Sequence, residues 1–235
     1  MKSLVSLYSS SIGKKIVMGL TGLFLCLFLV EHLAGNLLLF ANDNGHLYEE
    51  YSRILVSNPI IRAIEVILFL SLAGHALSGL ILWIQNRRAR PQKYREFRLD
   101  ENTELASRIT MLGGSIVFLF LVVHLSSFFF PLRVTGTPMT AYELVREKFS
   151  NPWFGLFYLF ALVILGYHLK HGFQSAFQTF GLVNKRYKAL LDAVAFFFWF
   201  LLPAGFASIP VYFYFVVRNS VSPLVLRILE HGWPV

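Results

Sequence analysis

A chain of 235 residues that is 56% hydrophobic, with a mean hydropathy of +0.59, is too apolar for an ordinary water-soluble domain. A hydrocarbon core about 30 Å thick takes about 20 helical residues to cross, and apolar runs of that length recur, so a single integral membrane domain over 1–235 is expected. The net charge of +8 falls mostly between those runs, which fits membrane topology rather than a nucleic-acid partner.

The pattern predicts an all-α bundle of five transmembrane helices. The first covers 13–41, behind "SSSIGKK". It is too long for the apolar part of a signal peptide, and "YEEY" follows instead of a small-residue cleavage site, so it reads as a permanent span. Its single cysteine, Cys26, allows no intrachain disulfide. The second helix covers 59–86 and the fourth 152–180, each opened by "SNP", a cap followed by proline in the first turn. The third covers 107–130 and is expected to stop at Pro131. The fourth closes at Gly181, and the fifth covers 189–217, with Pro203 and Pro210 expected to kink it.

Charge then orients the spans. The N-terminus carries Lys2, Lys14 and Lys15, six cations from Arg87 to Arg98 follow the second helix, and Lys185, Arg186 and Lys188 follow the fourth. The loop after the first helix holds Asp43, Glu49 and Glu50 against Arg53, and the loop after the third is mixed. The positive-inside rule places the N-terminus in the cytoplasm and the C-terminus outside.

Five of the seven histidines, His32, His75, His124, His168 and His171, fall inside spans; His46 and His231 do not. An ionisable residue at membrane depth is expensive and marks a functional site by default. Helical rise gives each a depth. His32 lies roughly 26 Å past Lys15, and His124 roughly 24 Å past Arg108, so both sit in the outer half. His75 lies roughly 24 Å inward of Pro59, and His168 the same distance inward of Pro152, so both sit in the inner half. Each level therefore holds two imidazoles from alternate spans, diagonal in an antiparallel bundle. A flat disc held from both sides fits this: bis-histidine ligation of two stacked haems enclosed by four helices. Zinc wants three or four converging ligands. A proton pathway, or a set of unrelated interhelical hydrogen bonds, gives no reason for matched pairs. Gly35, Gly74, Gly79, Gly113, Gly114, Gly166 and Gly172 leave room for a porphyrin edge, though they equally suit ordinary helix packing.

Over nearly its whole length the chain resembles the five-helix, dihaem cytochrome b anchor subunit of succinate:quinone oxidoreductases. The landmarks are "SSIGKKIVMGLTGL", "EHLAGNLLLF", "SNPIIRAIE", "GHALSGL", "VVHLSSFFF" and "YHLKHGFQSAFQTFG". The resemblance implies that His32 and His124 hold the distal haem b and that His75 and His168 hold the proximal one. His168 stands at the ligand place of the family's H-x-x-[H/N]-G pattern. It implies a prokaryotic cytoplasmic (inner) membrane, with flavoprotein and iron–sulfur partner subunits on the cytoplasmic side. The chain has one cysteine and no GxGxxG loop, so FAD, iron–sulfur clusters and the succinate or fumarate chemistry belong to those partners, and no catalytic residue is assigned here. Electrons would pass through the haems to a membrane quinone, usually menaquinone in the dihaem type. The anchor of another quinone-linked dehydrogenase is the alternative, and a histidine-using transporter a more distant one.

Quinone reduction takes up two protons, so a carboxylate is expected near the outer haem. The family's glutamate near the outer start of the second helix makes Glu50, Glu65 and Glu49 the candidates, with Glu31 beside His32 left open. Ser11, Lys15, Arg108, Lys185 and His171 are candidates to meet haem propionates at the inner surface. Some relatives place a buried glutamate two residues before the fourth-helix ligand. Here that residue is Gly166, which puts such a proton path in doubt.

Overall fold

The structure is a computed structural model that describes residues 10–89 and 103–218, without the side chains of Ser11 and 103–110. Every regular element among the described residues is helical, and five helices are long and apolar enough to cross a membrane. Span 1 is Ser11–Asn36, extended by a tighter turn over Leu37–Phe40. Span 2 is Pro59–Arg88, and span 4 is Pro152–Thr179. Span 3 begins at Thr103, and span 5 begins at Lys188.

The ends follow from local chemistry. The Ser10 hydroxyl accepts from Gly13 N–H at 2.9 Å. Asn58 accepts from Ile60 N–H, and Asn151 from Trp153 N–H, each across a proline that has no N–H to leave unpaired. Span 4 stops as expected at Gly181, whose φ of +68° suits glycine. Gly181 N–H donates to the Gln178 carbonyl and Leu182 N–H to that of Phe177, closing the helix end.

Span 3 corrects the expected stop at Pro131. Its regular helix ends at His124, but wider turns over Leu125–Phe129 and Pro131–Thr135 carry it on to Thr135. Phe130 N–H donates to the Leu125 carbonyl, five residues back. A widened turn shifts the preceding carbonyls out of register, so a proline without N–H no longer breaks the ladder. Span 5 uses the same device over Phe197–Leu201 before Pro203, whereas Pro210 stands inside the regular helix Leu202–Tyr212, ahead of a second wide turn over Phe213–Val217. Pro203 offers no N–H to the Trp199 carbonyl four residues back. That carbonyl faces span 4 at Gly166, where a Cβ would lie 2.6 Å from it. Gly166 therefore lets spans 4 and 5 close on each other at the site of the proline.

Spans 1 to 4 make a square. Span 1 packs on spans 2 and 4, and span 3 packs on spans 4 and 2. The diagonals, 1 with 3 and 2 with 4, make little direct contact. Span 5 lies outside the square, against spans 4 and 1. One end of the bundle gathers Lys14, Lys15, Arg87, Arg88, Lys185, Arg186 and Lys188; it is called inner below, and the opposite end outer.

The two outer connections are not simple loops. Each contains an amphipathic helix, His46–Ser57 and Ala141–Ser150. They are tied together: a Glu49 carboxylate oxygen accepts from Tyr142 N–H at 2.5 Å, and the Tyr142 side chain lies over Gly45. Gly45 has φ +86°, so a side chain there would be strained as well as crowded.

Candidate functional site

The square brings the diagonal histidines together, ring edge toward ring. In the outer half the His32 and His124 ring centres are 5.9 Å apart, with planes at 89°. In the inner half the His75 and His168 centres are 6.2 Å apart, with planes at 79°. Span 1 reaches both levels. Met18 touches the inner pair and His32 belongs to the outer one, so the levels are separated by roughly 20 Å along that helix.

The outer pair is set among aromatic rings. Phe28, one turn before His32, stacks on it at 5.2 Å, and Phe206 of span 5 covers it at 5.5 Å. Phe120 and Phe128, one turn either side of His124, lie 5.8 and 5.5 Å from that ring. Polar atoms meet both Nδ1 positions: the Tyr158 hydroxyl lies 3.2 Å from His124 Nδ1, and the Asn36 amide nitrogen, which can only donate, lies 3.3 Å from His32 Nδ1, a contact that a metal-bound His32 carrying its proton on Nδ1 would have to give up. The Asn36 amide also donates to the His32 carbonyl at 2.7 Å.

The inner pair is set against backbone. His75 Nδ1 lies 3.2 Å from the Met18 carbonyl and 3.4 Å from the Thr21 hydroxyl. A carbonyl can only accept, so Nδ1 carries the proton and Nε2 keeps its lone pair, as a metal-bound imidazole requires. The Thr21 hydroxyl donates to the Val17 carbonyl at 2.8 Å, which leaves its oxygen to accept. Glycines give both rings room. A Cβ on Gly22 would lie 3.1 Å from His75 Cε1, and one on Gly114 would lie 3.6 Å from His168 Cε1. His168 Nδ1 is buried and has no hydrogen-bond partner among the described residues.

These pairs fit a metal held between them. Two metal–nitrogen bonds of about 2.0 Å, with about 1.1 Å from nitrogen to ring centre on each side, require centres about 6 Å apart. Both observed separations meet that. No group of three or more His, Cys, Asp or Glu converges among the described residues. Each pair thus brings two imidazoles together, and a metal held by them would need its remaining donors from elsewhere, as an iron porphyrin provides.

The other candidates are scattered. Glu65 is committed to ion pairs with Arg62 at 2.7 Å and with Arg133 at 2.8 Å, at the outer ends of spans 2 and 3. Glu49 ties the outer helices together, and Glu50 is exposed at the same end. Lys15, Lys185 and His171 are exposed; the side chains of Ser11 and Arg108 lie outside the described set, as does His231. Glu31 accepts from the Tyr51 hydroxyl at 2.5 Å. Burial raises the Tyr51 phenol well above the ordinary tyrosine value, and the hydrogen bond and charge of Glu31 add to it.

The glycine expectation needs correction in part. Gly35 seats the Tyr51 ring, since a Cβ there would lie 2.5 Å from it, and Gly166 faces Trp199. At Gly74, Gly79 and Gly172 an added Cβ would meet nothing within 4 Å among the described residues. Gly22, Thr21, Asn36 and Tyr158 do not stand out in the histidine pattern of the sequence. Their signal is there: Asn36 stands one turn after His32, and Tyr158 is a hydroxyl amid phenylalanines in an apolar span.

No family model matches the chain, and no curated protein or solved structure shows significant similarity to it.

Proposed function

We propose that the chain is a membrane-anchor cytochrome b subunit. It would pass electrons between an iron–sulfur partner on the cytoplasmic side and a membrane quinone, as in succinate dehydrogenase and fumarate reductase. One observation carries this reading. At each of two levels, two imidazoles and no third ligand among the described residues face each other across the square at a metal-spanning separation. His32 and His124 would hold the outer haem b, and His75 and His168 the inner one.

When bound, a haem b supplies one-electron chemistry whose potential follows its axial ligands and their hydrogen bonds. The chain's own residues do the rest. The Met18 carbonyl and Thr21 hold His75 in one tautomer. Phe28, Phe206, Phe120 and Phe128 keep water from the outer pair. The basic inner end orients the N-terminus toward the cytoplasm. At the outer end, Glu65 and Glu49 are engaged in fixed contacts, which leaves the exposed Glu50 better suited to exchange protons with a bound quinone. The separation of the pairs along span 1 suits two carriers relaying electrons across the bilayer.

The test is a reduced-minus-oxidised spectrum with a haem-to-protein ratio on the purified protein. A b-type band and a ratio near two are expected. A ratio well short of two, or no b-type band, overturns the reading.

A further inference from the structure

Tyr158 has no part in the ligand set, yet it is tightly enclosed beside His124. It is 5% exposed. Phe120, Phe149 and Phe154 enclose its ring at 4.9, 5.0 and 4.7 Å. A phenol buried among such rings is oriented by the polar group it reaches, which among the described residues is His124 Nδ1, 3.2 Å away.

The direction of this hydrogen bond decides what His124 can do. If the phenol donates to a bare Nδ1, the imidazole proton sits on Nε2 and occupies the lone pair a metal would need. If Nδ1–H donates to the phenol oxygen, Nε2 is free to bind. The hydroxyl can rotate to serve either state, so the ring stays held in the same place through both.

Building on the haem reading above, we propose that Tyr158 is the positioning residue of the outer pair. Its phenol oxygen accepts the His124 Nδ1 proton, holds the ring across the bundle diagonal and strengthens Nε2 as a donor. His168, on the same span as Tyr158 and roughly 15 Å further along it, is the internal contrast. Its Nδ1 is buried without a partner among the described residues. Removing the Tyr158 hydroxyl would bring His124 to the condition that His168 already has.

The sign follows. An imidazole whose Nδ1–H is engaged is the stronger donor and favours the oxidised, more positive iron, which lowers the midpoint potential. Losing such an outer-shell partner typically changes metal affinity 10–100-fold. A tenfold loss felt by the oxidised state alone raises a one-electron midpoint by about 59 mV.

The experiment is a redox titration of Tyr158→Phe in the intact protein, followed at the b-type bands. Phenylalanine keeps the ring and its aromatic neighbours. One of the two waves should move upward by tens of millivolts, while the other stays and the haem-to-protein ratio is unchanged. The same titration in a His168→Ala background, which retains only the outer centre, should show the moved wave. Ring-fluorinated tyrosine at this position preserves shape and weakens the oxygen as an acceptor, so it should give a smaller shift of the same sign. Two unmoved waves, or equal movement of both, overturn the role of Tyr158 and leave the haem reading standing. Absence of b-type bands from the unsubstituted protein overturns the haem reading itself.

Discussion

The inner and outer histidine pairs reach nearly the same ring separation by different means. The outer rings, 5.9 Å apart, are wedged by phenylalanines one turn away on their own helices and by Phe206 of span 5. The inner rings, 6.2 Å apart, have almost no aromatic support and lie where Gly22 and Gly114 let backbone come close. Side-chain packing fixes one site, and helix approach fixes the other. The outer site should therefore respond to lost bulk and the inner site to added bulk.

The largest effect expected is loss of a whole centre. His124→Ala and His168→Ala should each bring the haem-to-protein ratio from about two to about one, leaving the opposite level intact. His171→Ala should keep both, because that side chain is exposed, one turn beyond His168. If His171→Ala removes the inner centre and His168→Ala does not, the inner pair is misassigned. Next comes Gly22→Val. A Cβ there already meets His75 Cε1 at 3.1 Å, so a branched side chain should displace that ring and lose the inner centre alone. Phe206→Ala is its mirror, opening space beside His32 and weakening only the outer centre. If either substitution disturbs both levels equally, the sites do not differ in the way their packing indicates.

Much of this contrast is legible in the sequence. Pro59, Pro152 and Gly181 mark helix ends because proline and glycine act through local backbone chemistry. The two levels follow from counting residues at a fixed rise, which holds wherever a helix stays regular. What fails to show is anything decided between helices. Gly35 is spaced like a haem-clearing glycine, yet it seats Tyr51 from an outer helix that the span pattern does not predict. Pro131 reads as a stop because its missing N–H is local, whereas the widened turns that absorb it depend on neighbouring spans. Tyr158 reads as one more aromatic until span 3 is laid beside it.

Gly166 serves neither pair directly, so its substitution tests the bundle rather than a site. Alanine would place a carbon 2.6 Å from the Trp199 carbonyl, which is backbone and cannot swing aside. Overpacking of this kind costs about 1–3 kcal/mol. Gly166→Ala should lower thermal stability in detergent by that order and shift span 5, including Phe206 over His32. Gly172→Ala is the control on the same helix: nothing among the described residues lies within 4 Å of its added carbon, so only the helix-propensity gain of about 0.5–1 kcal/mol remains and stability should not fall.

The smallest effect belongs to the outer end and to alkaline pH. Burial, with the Glu49 charge behind it, pushes the Tyr48 phenol up to about 12, and Tyr51 is raised by burial and by Glu31. A phenol whose value is raised on folding holds its proton more tightly in the folded state. Its contribution is complete below the ordinary tyrosine value of about 10 and fades as pH climbs through the raised one. The helix His46–Ser57 should therefore loosen between about pH 10 and pH 12. Hydrogen exchange should show its amides opening in that window before those of the spans, with access to the His32 level rising and the His75 level unchanged. Tyr51→Phe should flatten the response by removing the phenol that faces Glu31. Simultaneous opening of both levels would mean that the outer helices do not shield the outer pair separately from the rest of the bundle.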